Sequence, residues 1–458
     1  MTVLSLLGLA AAVYAHPQAT RTSEATEAAI SSTSSASLLP LPAFQKLTRK
    51  CVHTDPSTEC QPYTYPPVAQ AMSSFPDIWE YAAKILPGDA AGHTKYASFN
   101  ASIPKIAPKG TLTDSTKGTT YSDSDPDCWW TYSNCVKPKL SGLVPDVSDV
   151  PEPRTLGYGF DDGPYCGHNV WYDYLSSQNQ KATMFYIGSN VMSYPLEAQR
   201  AITDGHEICV HTWSHNYMTA TSNEGAFAEL WYSLKAIKLV TGVTATCWRP
   251  PYGDVDDRIR YIAAQLGLET ILWKYDTDDG SEGSDGVTPA VVQKNYDDFI
   301  TKASQGAFNT VGAILLTHEL TNFTMQTSMD YHPKLLQVFD HIVPISVAQN
   351  KTTPYLETNY TMPTFAEYIA GTTQTNGSTP ASGSSSASAS ASGSLPAQVN
   401  PGSPTANGAA QPSDSSPSPS SSSGERTGKN NGVVGRLQVG SATPLSVFGA
   451  AVLAFCWL

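Results

Sequence analysis

After Pro153 the chain settles into a rhythm in which short apolar or β-branched runs alternate with longer stretches of helical spacing. "TLGYGF" precedes "NVWYDYLSSQ", "ATMFYIG" precedes "PLEAQRAITDG", and "HEICVH" precedes "EGAFAELWYSLKAIKLV". "ATCWRP" then precedes "DVDDRIRYIAAQLG", "TILWKY" precedes "PAVVQKNYDDFITKAS", and "AILLTH" precedes "PKLLQVFDHIV". Strands alternating with helices of this length predict parallel βαβ units, closed into a barrel or laid out as a doubly wound sheet. The count favours a (β/α) barrel of seven or eight units. In either architecture a ligand binds at the carboxyl ends of the strands.

Outside that rhythm the pattern changes. Residues 16–150 are rich in Pro, Ser and Thr and read as an N-terminal extension, ordered in part by its cysteines and by "DCWWTYSNC" (Asp127–Cys135). The repeating units occupy 151–345, and 346–371 form a short C-terminal extension. From 372 to 429 the composition collapses into Ser, Ala, Pro and Gly. Such a segment has too little apolar surface to offset its ordering entropy, which predicts a disordered, O-glycosylated stalk. Val3–Ala15 is a short apolar run ending in small residues, the pattern of a signal peptide over 1–15. Leu445–Leu458 is apolar but shorter than the roughly 20 residues that span a bilayer. Small residues at Asn430, Asn431 and Gly432 and a polar spacer precede it. That order predicts a glycosylphosphatidylinositol (GPI) anchor signal over 430–458, with attachment at Asn430 or Asn431.

Glycosylation triplets at Asn100, Asn322, Asn350, Asn359 and Asn376 agree with a secretory route. The expected location is therefore the outer face of the plasma membrane and the cell wall. A net charge of −13 argues against nucleic acid or an anionic membrane surface as partner. Of the eight cysteines, Cys456 leaves with the tail. Cys51 with Cys60, and Cys128 with Cys135, are close enough in sequence to close small loops in an oxidising compartment. Cys166, Cys209 and Cys247 are left unassigned.

Ionisable residues collect where the runs predicted as strands end. Asp161 and Asp162 follow the first strand, His211 and His215 follow "EICV", and Arg249 follows "ATCW". Asp276 to Asp279 follow "TILWKY", and His318 follows "AILLT". Scattered surface charges would not prefer strand exits. In "HTWSH" two histidines four apart share one face of a helical turn, the spacing of two imidazole ligands to one metal ion. Thr212 stands where a metalloprotease of that spacing carries Glu. Two His and one Asp leave positions open for water and substrate, as in a catalytic zinc site. In "GFDDGP", Gly163 and Pro164 end the strand and leave two carboxylates at its exit. One suffices as ligand; the other can take a proton from a water that the ion activates. His318 is the candidate acid for the leaving group, with Arg249 partnering the basic aspartate and Asp279 partnering His318.

"FDDGP", "HTWSH", "RPPYG", "DTDD" and "LLTH", in that order, resemble the five motifs of the polysaccharide deacetylases with a NodB-homology domain, and among these the fungal chitin deacetylases most of all. The resemblance covers roughly 154–343. It implies a distorted NodB-like (β/α) barrel that hydrolyses N-acetyl groups of N-acetylglucosamine units in chitin, giving chitosan and acetate. It also implies Asp161 as base, with Asp162, His211 and His215 holding one divalent ion, Zn2+ or Co2+. Tyr252 would hold the acetyl oxygen through its backbone N–H, and Arg249 would position Asp161. Leu316 would line the acetyl pocket, and His318, paired with Asp279, would protonate the leaving amine. The implied partner is chitin or another N-acetylglucosamine polymer, met by a monomer. Where the family often has Trp after the aspartate matching Asp279, this chain has Gly280. Trp213 or Trp273 is then expected to supply that apolar wall. An acetylxylan or other carbohydrate O-acetyl esterase is the first alternative. A non-catalytic wall mannoprotein that only binds polysaccharide is the second.

Overall fold

Strand β1, Thr155–Gly163, is buried at every position. That is the signature of a parallel strand covered on both faces. The computed structural model describes residues 56–371 except 285. The expected signal peptide, stalk and anchor signal lie outside the described residues, as do Cys51, Asn376, Asn430 and Asn431.

Seven further strands follow: β2 Thr183–Tyr186, β3 Glu207–Val210, β4 Cys247–Trp248, β5 Glu269–Thr270, β6 Tyr275–Asp276, β7 Ala313–Leu316 and β8 His341–Val343. All pair in parallel in the order β5-β4-β3-β2-β1-β7-β6, with β8 alongside β1. β5 and β6 are the two ends of that order, yet only Ile271–Lys274 separate them in sequence. Four residues reach only about 15 Å, so the sheet curls until its edges nearly meet. The result is a distorted (β/α) barrel with one open seam.

The seam corrects one strand expectation. "TILWKY" is not a single strand: its two ends belong to β5 and β6, and its apolar middle packs inward, with Leu272 and Trp273 buried. A second correction concerns "PKLLQVFDHIV". The helix there runs Asn322–Leu335, opened by a capping box at Thr321, and the last three residues of the quoted stretch are β8. The other helices fall where the apolar spacing places them. Asn223–Thr241, the longest helix among the described residues, is capped by Ser222 and ends at Gly242 (φ 79°), whose N–H returns to the Lys238 carbonyl.

Residues 56–150 hold short helices joined by irregular segments. Val68, Phe75, Ala82, Ile85, Phe99 and Ile103 join the main hydrophobic core. Disulfides Cys60–Cys166, Cys128–Cys135 and Cys209–Cys247 tie the described chain. The Cys128–Cys135 pairing is as expected. Cys60 is not available to Cys51, because it bonds Cys166 across 106 residues and fastens the extension to the loop beyond β1.

Candidate metal and acid–base site

β1 does not end before its aspartates; it carries them in its last turn of pleat. The register with β2 slips between Phe160 and Gly163, and Asp162 takes a left-handed backbone (φ 73°). This breaks the alternation that would send neighbouring side chains to opposite faces. Asp161 Oδ2 and Asp162 Oδ1 consequently lie 3.8 and 3.3 Å from the same atom, His211 Nε2. His215 Nε2 is 3.1 Å from Asp162 Oδ1.

The two histidines are not on a helical turn. His211–His215 is a loop with left-handed residues at Thr212 (φ 64°) and His215 (φ 58°). Buried Glu229, from the middle of Asn223–Thr241, shapes it by accepting the Trp213 and Ser214 N–H groups at 2.9 Å and the Ser214 hydroxyl at 2.6 Å. His211 Nδ1 is 2.8 Å from the Arg249 carbonyl oxygen, which leaves Nε2 to point at Asp162. Asn190 Nδ2 donates to the Asp162 carbonyl at 2.7 Å and fixes the aspartate's backbone.

Three groupings of ligand-type side chains occur among the described residues, but two of them contain disulfide-bonded cysteines. Asp162, His211 and His215 form the third, their ligand atoms all within 4.8 Å of one another. Asp162 Oδ1 is buried without a hydrogen-bond donor. Burial pushes this carboxyl up, but His215 and His211 outweigh that and hold it well below the usual carboxylate range. An anionic oxygen facing two imidazole nitrogens, in a pocket partly open at His215, fits a divalent cation.

The acid and base candidates flank this set. Asp161 accepts a 2.7 Å hydrogen bond from Arg249 Nη1, and both side chains are buried. The Arg249 guanidinium is sandwiched from one side by Phe185, 3.9 Å from the ring centre, and stands 5.5 Å from Trp273. His318 Nδ1 is 2.6 Å from Asp279 Oδ1, and the His318 N–H donates to Asp279 Oδ2 at 3.1 Å. Burial pulls the imidazole down, but Asp279 more than reverses this and lifts it to about 10. The ring is therefore positively charged at neutral pH, the form needed for an acid.

Tyr252 lies beside the set, its ring 4.7 Å from that of His215 and its backbone left-handed at φ 58°. Leu316, at the end of β7, is buried. Gly280 has a clear steric reason: a Cβ there would sit 2.7 Å from a ring carbon of His318. Of the two tryptophans expected to replace a side chain at that position, Trp213 belongs to the extension's contact, stacked on Phe75 at 5.8 Å. Trp273 is the one beside Arg249. Asn100, Asn322, Asn350 and Asn359 are all exposed.

Two supporting acids escaped the sequence reading. Glu229 had a legible signal, a lone carboxylate in an otherwise apolar helical stretch. Glu319 had none. It is fully buried beneath Gly163, bonds the Tyr165 N–H at 2.9 Å and pairs with His168 at 2.7 Å.

Fold and site together define a parallel α/β protein with a three-residue candidate ligand set and two charge-paired dyads gathered at the strand exits. The chain belongs to the polysaccharide deacetylase family: the model of that family, described as "Polysaccharide deacetylase", matches residues 149–271. The chain is 53% identical over 333 residues to chitin deacetylase 2 of Cryptococcus neoformans var. grubii, covering 72% of this chain and 73% of that protein. It is 43% identical over 314 residues to the chitin deacetylase of Amylomyces rouxii, covering 66% and 73%. The solved chitin deacetylase of Colletotrichum lindemuthianum superposes with a TM-score of 0.40 at 22% identity, over 45% of this chain and 92% of that one.

Proposed function

We propose that the protein removes acetyl groups from N-acetylglucosamine units of chitin, releasing acetate and leaving free amines. The observation that carries this reading is the pair of opposed dyads, Asp161–Arg249 and Asp279–His318, around Asp162, His211 and His215. Amide hydrolysis needs a base for the incoming water and an acid for the departing nitrogen, and the two dyads have those opposite characters. Relatives named chitin deacetylases at 53% and 43% identity support the choice of polymer.

Asp162, His211 and His215 would hold the ion, Zn2+ or Co2+. When bound it would supply Lewis acidity, polarising the acetyl carbonyl and making a water easier to deprotonate. Asp161, held by Arg249, takes the water's proton as its oxygen bonds the acetyl carbon. The Tyr252 backbone N–H donates to the acetyl oxygen as negative charge gathers there. His318 then gives its proton to the nitrogen as the C–N bond breaks, so acetate and the amine leave together in balance. Leu316 packs at the acetyl methyl. Gly280 leaves His318 room to reach the nitrogen, so this departure from the family pattern supports catalysis over a binding-only reading.

The setting belongs to the same proposal. The apolar C-terminal tail and Ser-rich segment support a GPI-anchored enzyme at the outer face of the plasma membrane, beside the wall, working as a monomer. Acetate release from soluble chitin oligomers, with and without a chelator, tests the reading. Acetylated xylan assayed alongside would expose an O-acetyl esterase instead.

A further inference from the structure

The family match begins at residue 149, yet the N-terminal extension reaches the catalytic face before that point. Trp129, Trp130 and Thr131 lie in the loop closed by Cys128–Cys135, and all three meet the segment Tyr252–Val255. Trp129 Nε1 and Thr131 Oγ1 donate to Asp254 Oδ1 at 2.8 and 2.7 Å. The other Asp254 oxygen accepts from the Thr219 N–H at 2.7 Å and its hydroxyl at 2.8 Å. The Trp130 N–H donates to the Val255 carbonyl at 3.0 Å. Its indole packs against Gly253 (φ 68°), where an added Cβ would come to 2.3 Å from ring atoms. The same indole meets Trp273 at 4.8 Å, and Trp273 faces Arg249.

Trp130 therefore touches the backbone on one side of Tyr252 and the aromatic wall beside the base's partner on the other. The extension also holds the far half of this corner. Tyr217, stacked on Tyr252 at 4.1 Å and 14°, donates its N–H to the Leu112 carbonyl at 3.2 Å. Lys109 donates its N–H to Thr219 at 2.9 Å, and its buried ammonium bridges Asp127 at 3.0 Å and Asp256 at 2.6 Å. A tyrosine in the left-handed region is strained and persists only where its surroundings over-determine it. Here part of those surroundings, Trp129, Trp130 and Thr131, comes from outside the barrel.

We propose that the Trp129–Thr131 corner of the N-terminal extension completes the active site, with Trp130 a positioning residue that keeps Tyr252 aimed at the acetyl oxygen. The inference rests on the deacetylase reading. A donor aimed at charge that develops in the transition state acts on turnover more than on substrate binding. Trp130 meets Val255, Gly253 and Trp273, which are not among the candidate ion ligands, so ion binding is a separate readout.

The test compares wild type, Trp130→Ala and Trp130→Phe, each assayed for acetate release from soluble chitin oligomers, for bound metal and for Tm. In Trp130→Ala, kcat is expected to fall about 10- to 100-fold while KM stays within about twofold. Metal content should match wild type, and Trp130→Phe, which keeps a ring against Gly253, should recover most of the rate. An unchanged kcat, a loss carried by KM alone, or a loss in step with lost metal would overturn the inference. Should Trp130→Ala not fold, Trp129→Phe, which deletes one donor to Asp254, is judged by the same criteria. Failure of the deacetylase reading looks different: wild type itself would release no acetate.

Discussion

Asp279→Asn tests the acid assignment through its pH dependence. Asp279 touches His318 twice, at Nδ1 and at the backbone N–H, and is the largest influence lifting that imidazole to about 10 against the pull of burial. A cation on Asp162 opposes the lift, so the alkaline limb of kcat/KM in the loaded wild type should fall between 6.5 and 10. Asparagine keeps the shape but removes the charge, and the ring returns to about 6.5 or lower. At pH 8 only about 3% of such imidazoles carry the proton, a loss of about 30-fold that is mostly recovered near pH 6. Initial rates of acetate release from pH 5 to 10, corrected for bound metal, measure both limbs. The linked stability has a fixed sign. A pKa raised on folding stabilises fully below the unfolded value near 6.5 and ceases to as pH passes the folded value near 10. The Tm gap between metal-free wild type and variant should therefore narrow over that window. If the variant lost the same factor at pH 6 and pH 8, with its alkaline limb unmoved, Asp279 would not be setting the acid.

Gly280→Ala drives a Cβ to 2.7 Å from the His318 ring, so turnover should drop at least tenfold with metal content unchanged; normal turnover would show that His318 is free to move aside. Replacing Cys60 and Cys166 together by Ser opens a closure of 106 residues and should cost about 2–5 kcal/mol, read as a lower Tm, with acetate release at 25 °C largely kept. An unaltered Tm would mean that the extension stays docked without the bond. Deleting Leu445–Leu458 should send active protein into the medium, since no residue of the site lies beyond His318. Protein retained on the membrane after that deletion would count against the lipid anchor.

The strands were legible where an apolar run began and ended with the strand itself, as in "ATMFYIG" and "AILLTH". "TILWKY" misled because burial continues through Ile271, Leu272 and Trp273 while the chain crosses the seam, and apolar character reports burial rather than pairing. The i, i+4 spacing of His211 and His215 suggested a helix, but a loop held by Glu229 achieves the same convergence. Spacing carries no information about that carboxylate, which sits fourteen residues past His215. Likewise, local spacing favours Cys51 for Cys60, whereas the bond to Cys166 follows from where the extension docks. The site's membership was visible because strand exits converge by topology. Its geometry was not, since the left-handed turns at Asp162, Thr212, His215 and Tyr252 are imposed by contacts made elsewhere in the chain.

On the proposed function, Asp162, His211 and His215 hold the ion on which acetate release depends. Stripping metal from the wild type with a chelator and returning Zn2+ or Co2+ stepwise, while acetate release and bound metal are read together alongside folded His215→Ala, tests this. Activity is expected to vanish, to return in proportion to one ion per chain, and not to return in the variant, which binds none. Full activity in metal-free protein, or an ion kept and used by His215→Ala, would contradict it.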